Sequence, residues 1–115
     1  MTNLSASDLT NIVDITLSKA TAEAIIKDAI HELNMKLKRA GQELPNLSGT
    51  SGSMTVNLDS AEFGAVLKVS KAIYFRDYKG PVQTSIGGVS YSVHRVEDVA
   101  SECAADLKEV EVSLG

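Results

Sequence analysis

Apolar residues recur at steps of three and four in several stretches of the chain, and each such stretch predicts an amphipathic helix. The longest stretch runs from residue 20 to residue 40. Its apolar positions are Ala22, Ile25, Ile26, Ala29, Ile30, Leu33, Leu37 and Ala40. Ser18 or Thr21 can cap the first turn with a hydroxyl group, and Gly41 suits the left-handed residue that often follows a helix.

A shorter helix is predicted near the N-terminus. Ser5 and Asp8 have the spacing of a capping box, in which two side chains accept hydrogen bonds from each other's backbone N–H groups. Leu9, Ile12 and Val13 then share one helical face. This pattern predicts a helix of about two or three turns.

A third helix carries apolar residues on two faces. Asp59 and Glu62 have capping-box spacing at its start, and Gly80-Pro81 ends it because proline cannot continue a helix. The first stripe is Phe63, Val66, Leu67, Ser70, Ile73, Tyr74 and Tyr78, and the second is Ala65, Val69, Ala72 and Phe75. A helix that is apolar on two faces is expected to be buried on both.

Strict alternation of apolar and polar residues predicts strands in two places. Met54, Val56 and Leu58 alternate with polar residues, which predicts a short strand after a Gly/Ser loop. The stretch "VQTSIGGVSYSV", residues 82–93, alternates on both sides of Gly87-Gly88 and predicts a β-hairpin with a two-residue turn. A lone two-stranded ribbon is only marginally stable in water. The hairpin must therefore pack on the helices or pair with another chain.

A final helix is predicted to start after Arg95, and the pattern does not decide where it ends. Its apolar positions are Val96, Val99, Ala100, Cys103, Leu107 and Val110. Because "EVEVSLG" also alternates strictly, residues 111–115 either continue the helix or form an extended tail suited to strand addition. The predicted fold class is α+β, mainly α: one domain over 1–115, a small bundle of three to four helices with a β-hairpin and a Gly/Ser loop.

Composition excludes several classes of protein. The 115 residues suit one domain, and a hydrophobic content of 43% excludes a disordered chain. A formal net charge of −4 argues against a protein that binds nucleic acid by neutralising phosphates. A single cysteine cannot form an intramolecular disulfide. No apolar run is long enough to span a bilayer and no signal peptide is evident, so we expect a soluble domain made inside the cell.

Candidate catalytic and metal-binding residues are few. His31 and His94 do not have the spacing of a helical zinc site. Cys103 lies on the apolar stripe of the last helix, so we expect a buried thiol and not a nucleophile. The stretch "SGTSGS", residues 48–53, lacks the Gly-Lys-Ser/Thr ending of a phosphate-binding loop, so a flexible loop is expected. Whether the loop 46–54 is ordered on its own stays open. No catalytic residue, metal site or cofactor is predicted.

The acidic residues of the predicted helices are interpreted as solvated faces. They are Asp8, Asp14, Glu23, Asp28, Glu32, Glu97, Asp98, Glu102, Asp106 and Glu109. All are placed off the apolar stripes, and no pair is embedded among apolar residues in a way that would raise a pKa. General acid–base catalysis is therefore not predicted.

Basic and aromatic residues are mixed at the end of the third helix, in "KAIYFRDYKG", residues 71–80. Such clusters can bind single-stranded nucleic acid. The helical period and the acidic total instead favour a core stripe whose charged ends reach solvent. Arg76 and Lys79 are then candidate ion-pair donors to another subunit.

Two adjacent stretches resemble a known family. Residues 48–80 place a Gly/Ser loop, a short strand and a capped helix before the aromatic and basic cluster. The next segment is Ser85-Ile86-Gly87-Gly88-Val89-Ser90-Tyr91-Ser92. Over residues 21–93 this order resembles the head–tail connector (adaptor) proteins of tailed bacterial and archaeal viruses. Those proteins carry a segment of the type Ser-Ile-Gly-x-x-Ser-x-Ser/Tyr after the last core helix.

The resemblance implies a structural virion protein and not an enzyme. Connectors form a homo-oligomeric ring, usually of about twelve subunits, beneath the portal protein. The ring continues the DNA channel, with DNA only as passing cargo, and contacts the next neck or tail component. The implied location is the virion neck, after synthesis in the host cytoplasm and without a membrane. Connector C-termini commonly insert against the portal, a role that would fall to residues 111–115.

The residues expected at subunit or portal contacts lie in and just before the hairpin. They are Thr84, Ser85, Ile86, Gly87, Gly88, Val89, Ser90 and Tyr91, with Arg76 and Lys79. The alternative is a small cytosolic protein-interaction or regulatory module that forms a dimer through the apolar third helix. The two hypotheses differ in oligomeric state and in binding to a portal protein.

Overall fold

In a computed structural model, the protein has the α+β, mainly α-helical fold that the sequence predicts. The structure describes residues 2–37, 43–79, 85–86, 89–90 and 96–114. The element order is β1 (Thr2–Ser5), α1 (Ala6–Val13), α2 (Lys19–Leu37), β2 (Thr55–Leu58), α3 (Ser60–Tyr74), a π-helical segment (Phe75–Lys79), β3 (Ser85–Ile86), β4 (Val89–Ser90) and α4 (Val96–Leu114).

Side chains cap the helices where the sequence predicts. The backbone N–H of Ser5 donates to Oδ2 of Asp8 at 2.8 Å at the start of α1. At the start of α3, Oδ1 of Asp59 accepts from the N–H of Glu62 at 2.8 Å, and Glu62 Oε1 accepts from the N–H of Asp59 at 3.1 Å. Ser18 caps α2, because its Oγ accepts from the N–H of Thr21 at 3.2 Å. These local bonds satisfy N–H groups that a helix leaves unpaired at its first turn.

The core lies where α2, α3 and α4 pack against one another, and α1 packs on α2 and α3. The largest fully buried side chains are Leu4, Leu9, Ile26, Ile30, Leu33, Leu58, Ile73, Val66, Val69 and Ser70. Val66 and Ile73 belong to the first apolar stripe of α3, and Ala65 and Val69 belong to the second. Each stripe thus has fully buried members, as predicted, because α2 and α4 flank α3 within the same chain. The partly buried members are Phe63, Leu67, Ala72 and Phe75.

The N-terminal strand β1 has no counterpart in the sequence prediction. It pairs antiparallel with β2 and sets Leu4 opposite Val56. Leu4 is completely buried, while Thr2 and Asn3 are exposed. A four-residue segment with one apolar side chain shows no alternation, so only its long-range pairing with β2 identifies it as a strand. The predicted strand after the loop is confirmed as β2.

The turn after α1 is more exposed than its apolar pattern predicts. Leu9 is buried and Val13 is half-buried, but Ile12, placed on the same face, is 50% exposed. Ile15, in the turn between α1 and α2, is 82% exposed. α1 ends at Val13, one residue after Ile12, so the predicted apolar face does not continue beyond this point.

The third and the last helix both extend to the ends that the sequence allows for them. The helix after β2 remains helical to Lys79 but widens to π geometry from Phe75 onward. α4 continues to Leu114, so the alternative of an extended tail over 111–115 is wrong for the described part of that segment. Helical hydrogen bonding there overrides the short alternation of Val110, Val112 and Leu114. The predicted helix ends at Gly41 and Gly80-Pro81 lie outside the described residues.

Candidate partner interface

The predicted β-hairpin forms, and its two strands are short. β3 and β4 run antiparallel, with Ser85 opposite Ser90 and Ile86 opposite Val89. Two residues therefore connect the strands, as the Gly87-Gly88 turn requires. Of the interface residues predicted from sequence, Ser85, Ile86, Val89 and Ser90 lie on these strands. Thr84, Gly87, Gly88 and Tyr91 lie outside the described residues.

The hairpin forms a sheet of its own. Among the strands that the structure describes, β3 pairs only with β4, and β1 pairs only with β2. Each strand of a two-stranded sheet has one edge whose peptide groups face away from its partner. Those outer edges of β3 and β4 can accept a further strand.

Arg76 is engaged by its sequence neighbour. Its Nε donates to Oδ1 of Asp77 at 2.7 Å and its Nη2 donates to Oδ2 at 3.0 Å. The hydrogen bond from Arg76 lowers the pKa of Asp77, against a smaller opposing effect of burial. Both side chains are exposed, so such a pair contributes little to stability. The backbone of Lys79 ends the π-helical segment, so both predicted donors lie on the element that precedes the hairpin.

A buried tyrosine joins this end of α3 to the turn after α1. Tyr74 is 2% exposed, and its hydroxyl donates to Oδ2 of Asp14 at 3.2 Å. Oδ1 of Asp14 accepts from the N–H and the Oγ1–H of Thr16, at 2.9 and 2.6 Å. Burial, followed by the charge of Asp14, raises the pKa of Tyr74. The ring of Tyr74 also meets that of Phe75 edge-on, with 5.5 Å between centroids.

Glu23 is the residue for which the sequence interpretation is wrong. The sequence predicts a solvated position for this side chain, but it is 3% exposed. Its carboxylate accepts from the N–H of Gly52 and from the N–H of Met54 in the Gly/Ser loop. Spacing could have revealed this position, because Glu23 precedes Ile26 by three residues and therefore lies on the apolar stripe.

The outer face of α4 is acidic, as predicted. Its exposed carboxylates are Glu97, Asp98, Glu102 and Asp106. The intervening exposed residues are Ser101 and Ala105. Within the described part of the chain, these carboxylates form no ion pair. Glu97 and Asp98 lie in the first turn of α4, where the helix dipole favours negative charge.

The cysteine lies beside an open groove between α3 and α4, with a volume of about 360 Å³. Ala65 and Lys68 of α3 and Cys103 and Asp106 of α4 are among its lining residues. Cys103 is buried, as predicted. Burial raises the pKa of its thiol, and the positive charge of Lys68 partly opposes this. A thiol with a raised pKa is protonated at neutral pH and is a poor nucleophile.

In the part of the chain that the structure describes, no three His, Cys, Asp or Glu side chains lie close enough together to hold a metal ion. His31 is exposed, and His94 lies outside the described residues. No helix of the described ranges is both long enough and apolar enough to cross a bilayer. Comparison with protein-family models, with curated proteins and with solved structures gave no match for the chain.

Proposed function

We propose that the protein is a head–tail connector of a tailed virus. In this role it forms a ring at the portal vertex, joins the capsid head to the neck or tail and continues the DNA channel. The proposed partners are other copies of the chain, the portal protein and the next neck component, and the proposed location is the virion neck. This function requires contacts with other protein chains and no catalytic activity.

The observation that carries the proposal is the pairing of the hairpin. β3 and β4 pair only with each other among the described strands, directly after the helix that crosses the core. The same segment carries the Ser-Ile-Gly-x-x-Ser pattern that resembles connectors. An isolated two-stranded ribbon gains stability when its edge meets another chain. The hairpin is therefore the proposed contact between subunits or with the portal.

The apolar faces of α3 do not add support for subunit packing. α2 and α4 already cover much of both faces, and Val69 and Ile73 are 0% and 1% exposed within a single chain. A ring is thus not required to bury α3. The assembly argument depends on the hairpin.

The acidic face of α4 supports the proposed channel. Its carboxylates are exposed and unpaired within the described residues. A surface of this kind repels the phosphates of DNA and does not hold them. DNA could therefore slide past a ring that turns α4 toward its axis.

A second candidate function is a dimeric interaction or regulatory module. The notable contacts of α3 with α2 and α4 within the chain leave only part of its apolar surface for a second copy. The observation that favours this function is the pair of exposed side chains Ile12 and Ile15 at the end of α1, 50% and 82% exposed. In this function two copies would meet through that end of α1.

Native mass spectrometry of the full chain, alone and mixed with a portal protein, separates the two candidates. A connector is expected to form a closed ring of many subunits or to co-assemble with the portal ring. Substituting Ile12→Ser and Ile15→Ser should leave such a ring intact. The alternative would be established by a stable dimer that does not bind the portal protein and that dissociates when Ile12 and Ile15 are substituted.

A further inference from the structure

A buried carboxylate holds the Gly/Ser loop onto the first turns of α2. Oε1 of Glu23 accepts from the N–H of Gly52 at 2.8 Å. Oε2 accepts from the same N–H at 3.0 Å and from the N–H of Met54 at 2.9 Å. The contact spans about thirty residues of sequence and joins two elements that no strand pairing connects.

Among the described residues, the other hydrogen bonds of residues 48–54 run within the loop or to Thr55 at the start of β2. At its base, Ser48 and Thr55 exchange two backbone hydrogen bonds, of 3.0 and 3.1 Å. Inside it, the N–H of Ser53 donates to the carbonyl of Thr50 at 2.8 Å. Gly52 has a φ of 91°, a left-handed conformation that favours glycine and aims its N–H at Glu23. The base closes the loop, and Glu23 fixes the position of its tip.

We propose that Glu23 is a latch: its ionised carboxylate holds residues 49–54 in one position, and loss of that charge releases this loop as a unit while the helical core stays folded. The proposal is independent of the connector function. It concerns which loop surface a partner meets. In the latched state Ser48, Thr50, Ser51 and Ser53 are all exposed, so the loop presents hydroxyl groups to solvent.

The charges around Glu23 favour the latched state at neutral pH. The hydrogen bonds from Gly52 and then Met54 lower the pKa of Glu23 below its usual value of 4.5, and burial acts in the opposite direction. Lys27 and Lys19, both on α2, lower it further. Residues 48–58 contribute no titratable side chain. Because the pKa is lowered on folding, the latch is at full strength above 4.5 and weakens as pH falls through the lowered value.

Amide hydrogen exchange of the full chain, followed by NMR, tests the latch. Glu23→Gln removes the negative charge and places an NH₂ group, itself a donor, opposite the N–H groups of the loop. The rates of amide hydrogen exchange at Gly52 and Met54 should therefore rise by about tenfold or more. Exchange at Ile30 in α2 should not change. Asp28→Asn is the matched control, because Asp28 is an exposed acid on the same helix. This variant should leave every rate as in the wild type.

The wild-type chain gives a second test that does not depend on how a variant folds. The amide shifts of Gly52 and Met54 should titrate together below pH 4.5, while the amides of buried core residues such as Ile30 keep their protection from hydrogen exchange. Unchanged exchange at Gly52 and Met54 in Glu23→Gln would overturn the proposal. So would a pH titration in which loop and core amides lose protection together, because the loop would then not be a separate unit.

Discussion

The hydroxyl of Tyr74 donates a hydrogen bond to Oδ2 of Asp14, at 3.2 Å and across sixty residues of sequence. This contact fastens the last turn of α3 to the turn between α1 and α2. The same turn exposes Ile15, and the same end of α3 continues into the π-helical segment that precedes the hairpin. One buried phenol therefore joins the element that precedes the hairpin to the turn that carries Ile15.

Tyr74→Phe should change the response to alkaline pH. The pKa of Tyr74 is raised on folding, so its stabilising effect is complete below its usual value of 10.0 and is lost as pH rises through the higher folded value. Urea unfolding from pH 7 to 11 should show a steeper alkaline loss of stability in the wild type than in Tyr74→Phe. The two curves would run parallel if the Tyr74 hydroxyl were not part of the fold.

Leu33→Ala should strongly destabilise the three-helix core. Leu33 is fully buried on α2, so truncation removes apolar contact and leaves a cavity, at about 2–5 kcal/mol in the free energy of unfolding. Met35→Ala is the matched control on the same helix. Met35 is 54% exposed, so its loss should alter the free energy by about 0.5 kcal/mol or less. Chemical denaturation measures both, and equal losses would contradict the core described above.

Ser70→Ala should stabilise the protein. Ser70 is fully buried in α3, and its hydroxyl has no hydrogen-bond partner among the described residues. A buried hydroxyl without a partner costs about 1–3 kcal/mol, which the alanine variant should recover in part. Thermal unfolding should show a higher midpoint than for the wild type, while Ser101→Ala, at an exposed position of α4, should show little change. A lower midpoint for Ser70→Ala would mean that the hydroxyl is bonded.

If the hairpin is the subunit contact proposed above, Gly87→Val combined with Gly88→Val should block assembly and leave a helical monomer. A two-residue connection between antiparallel strands needs positive φ angles that β-branched residues disfavour. Circular dichroism would report the helices, and sedimentation velocity would report the oligomer. Wholesale unfolding would show that the hairpin serves the fold and not the assembly.

The control for the hairpin variant is Gly64→Ala. Gly64 lies in α3, and a Cβ built there meets nothing within 4 Å. Alanine has the higher helix propensity, so this variant should gain about 0.5–1 kcal/mol in the free energy of unfolding. Its oligomeric state should match that of the wild type.

Sequence by itself determined the elements whose signals are local. The capping pairs Ser5/Asp8 and Asp59/Glu62 placed two helix starts, because each bond spans only three residues. Helical spacing predicted α2, both buried faces of α3 and the buried Cys103. Alternation around Gly87-Gly88 predicted the hairpin, because a two-residue turn sets the pairing of its own strands.

Tertiary structure decided what depends on distant partners. β1 is a strand because it pairs with β2, about fifty residues later in the chain. The carboxylate of Glu23 is buried with the N–H groups of Gly52 and Met54 as its donors. The hydroxyl of Tyr74 bonds to Asp14, in the turn after α1. Such contacts produce no periodic pattern in the sequence. A polar residue that bonds to water and one that bonds to a distant backbone group have the same identity and the same spacing. A buried carboxylate is stable only when donors replace its water, and only the packed chain brings those donors together.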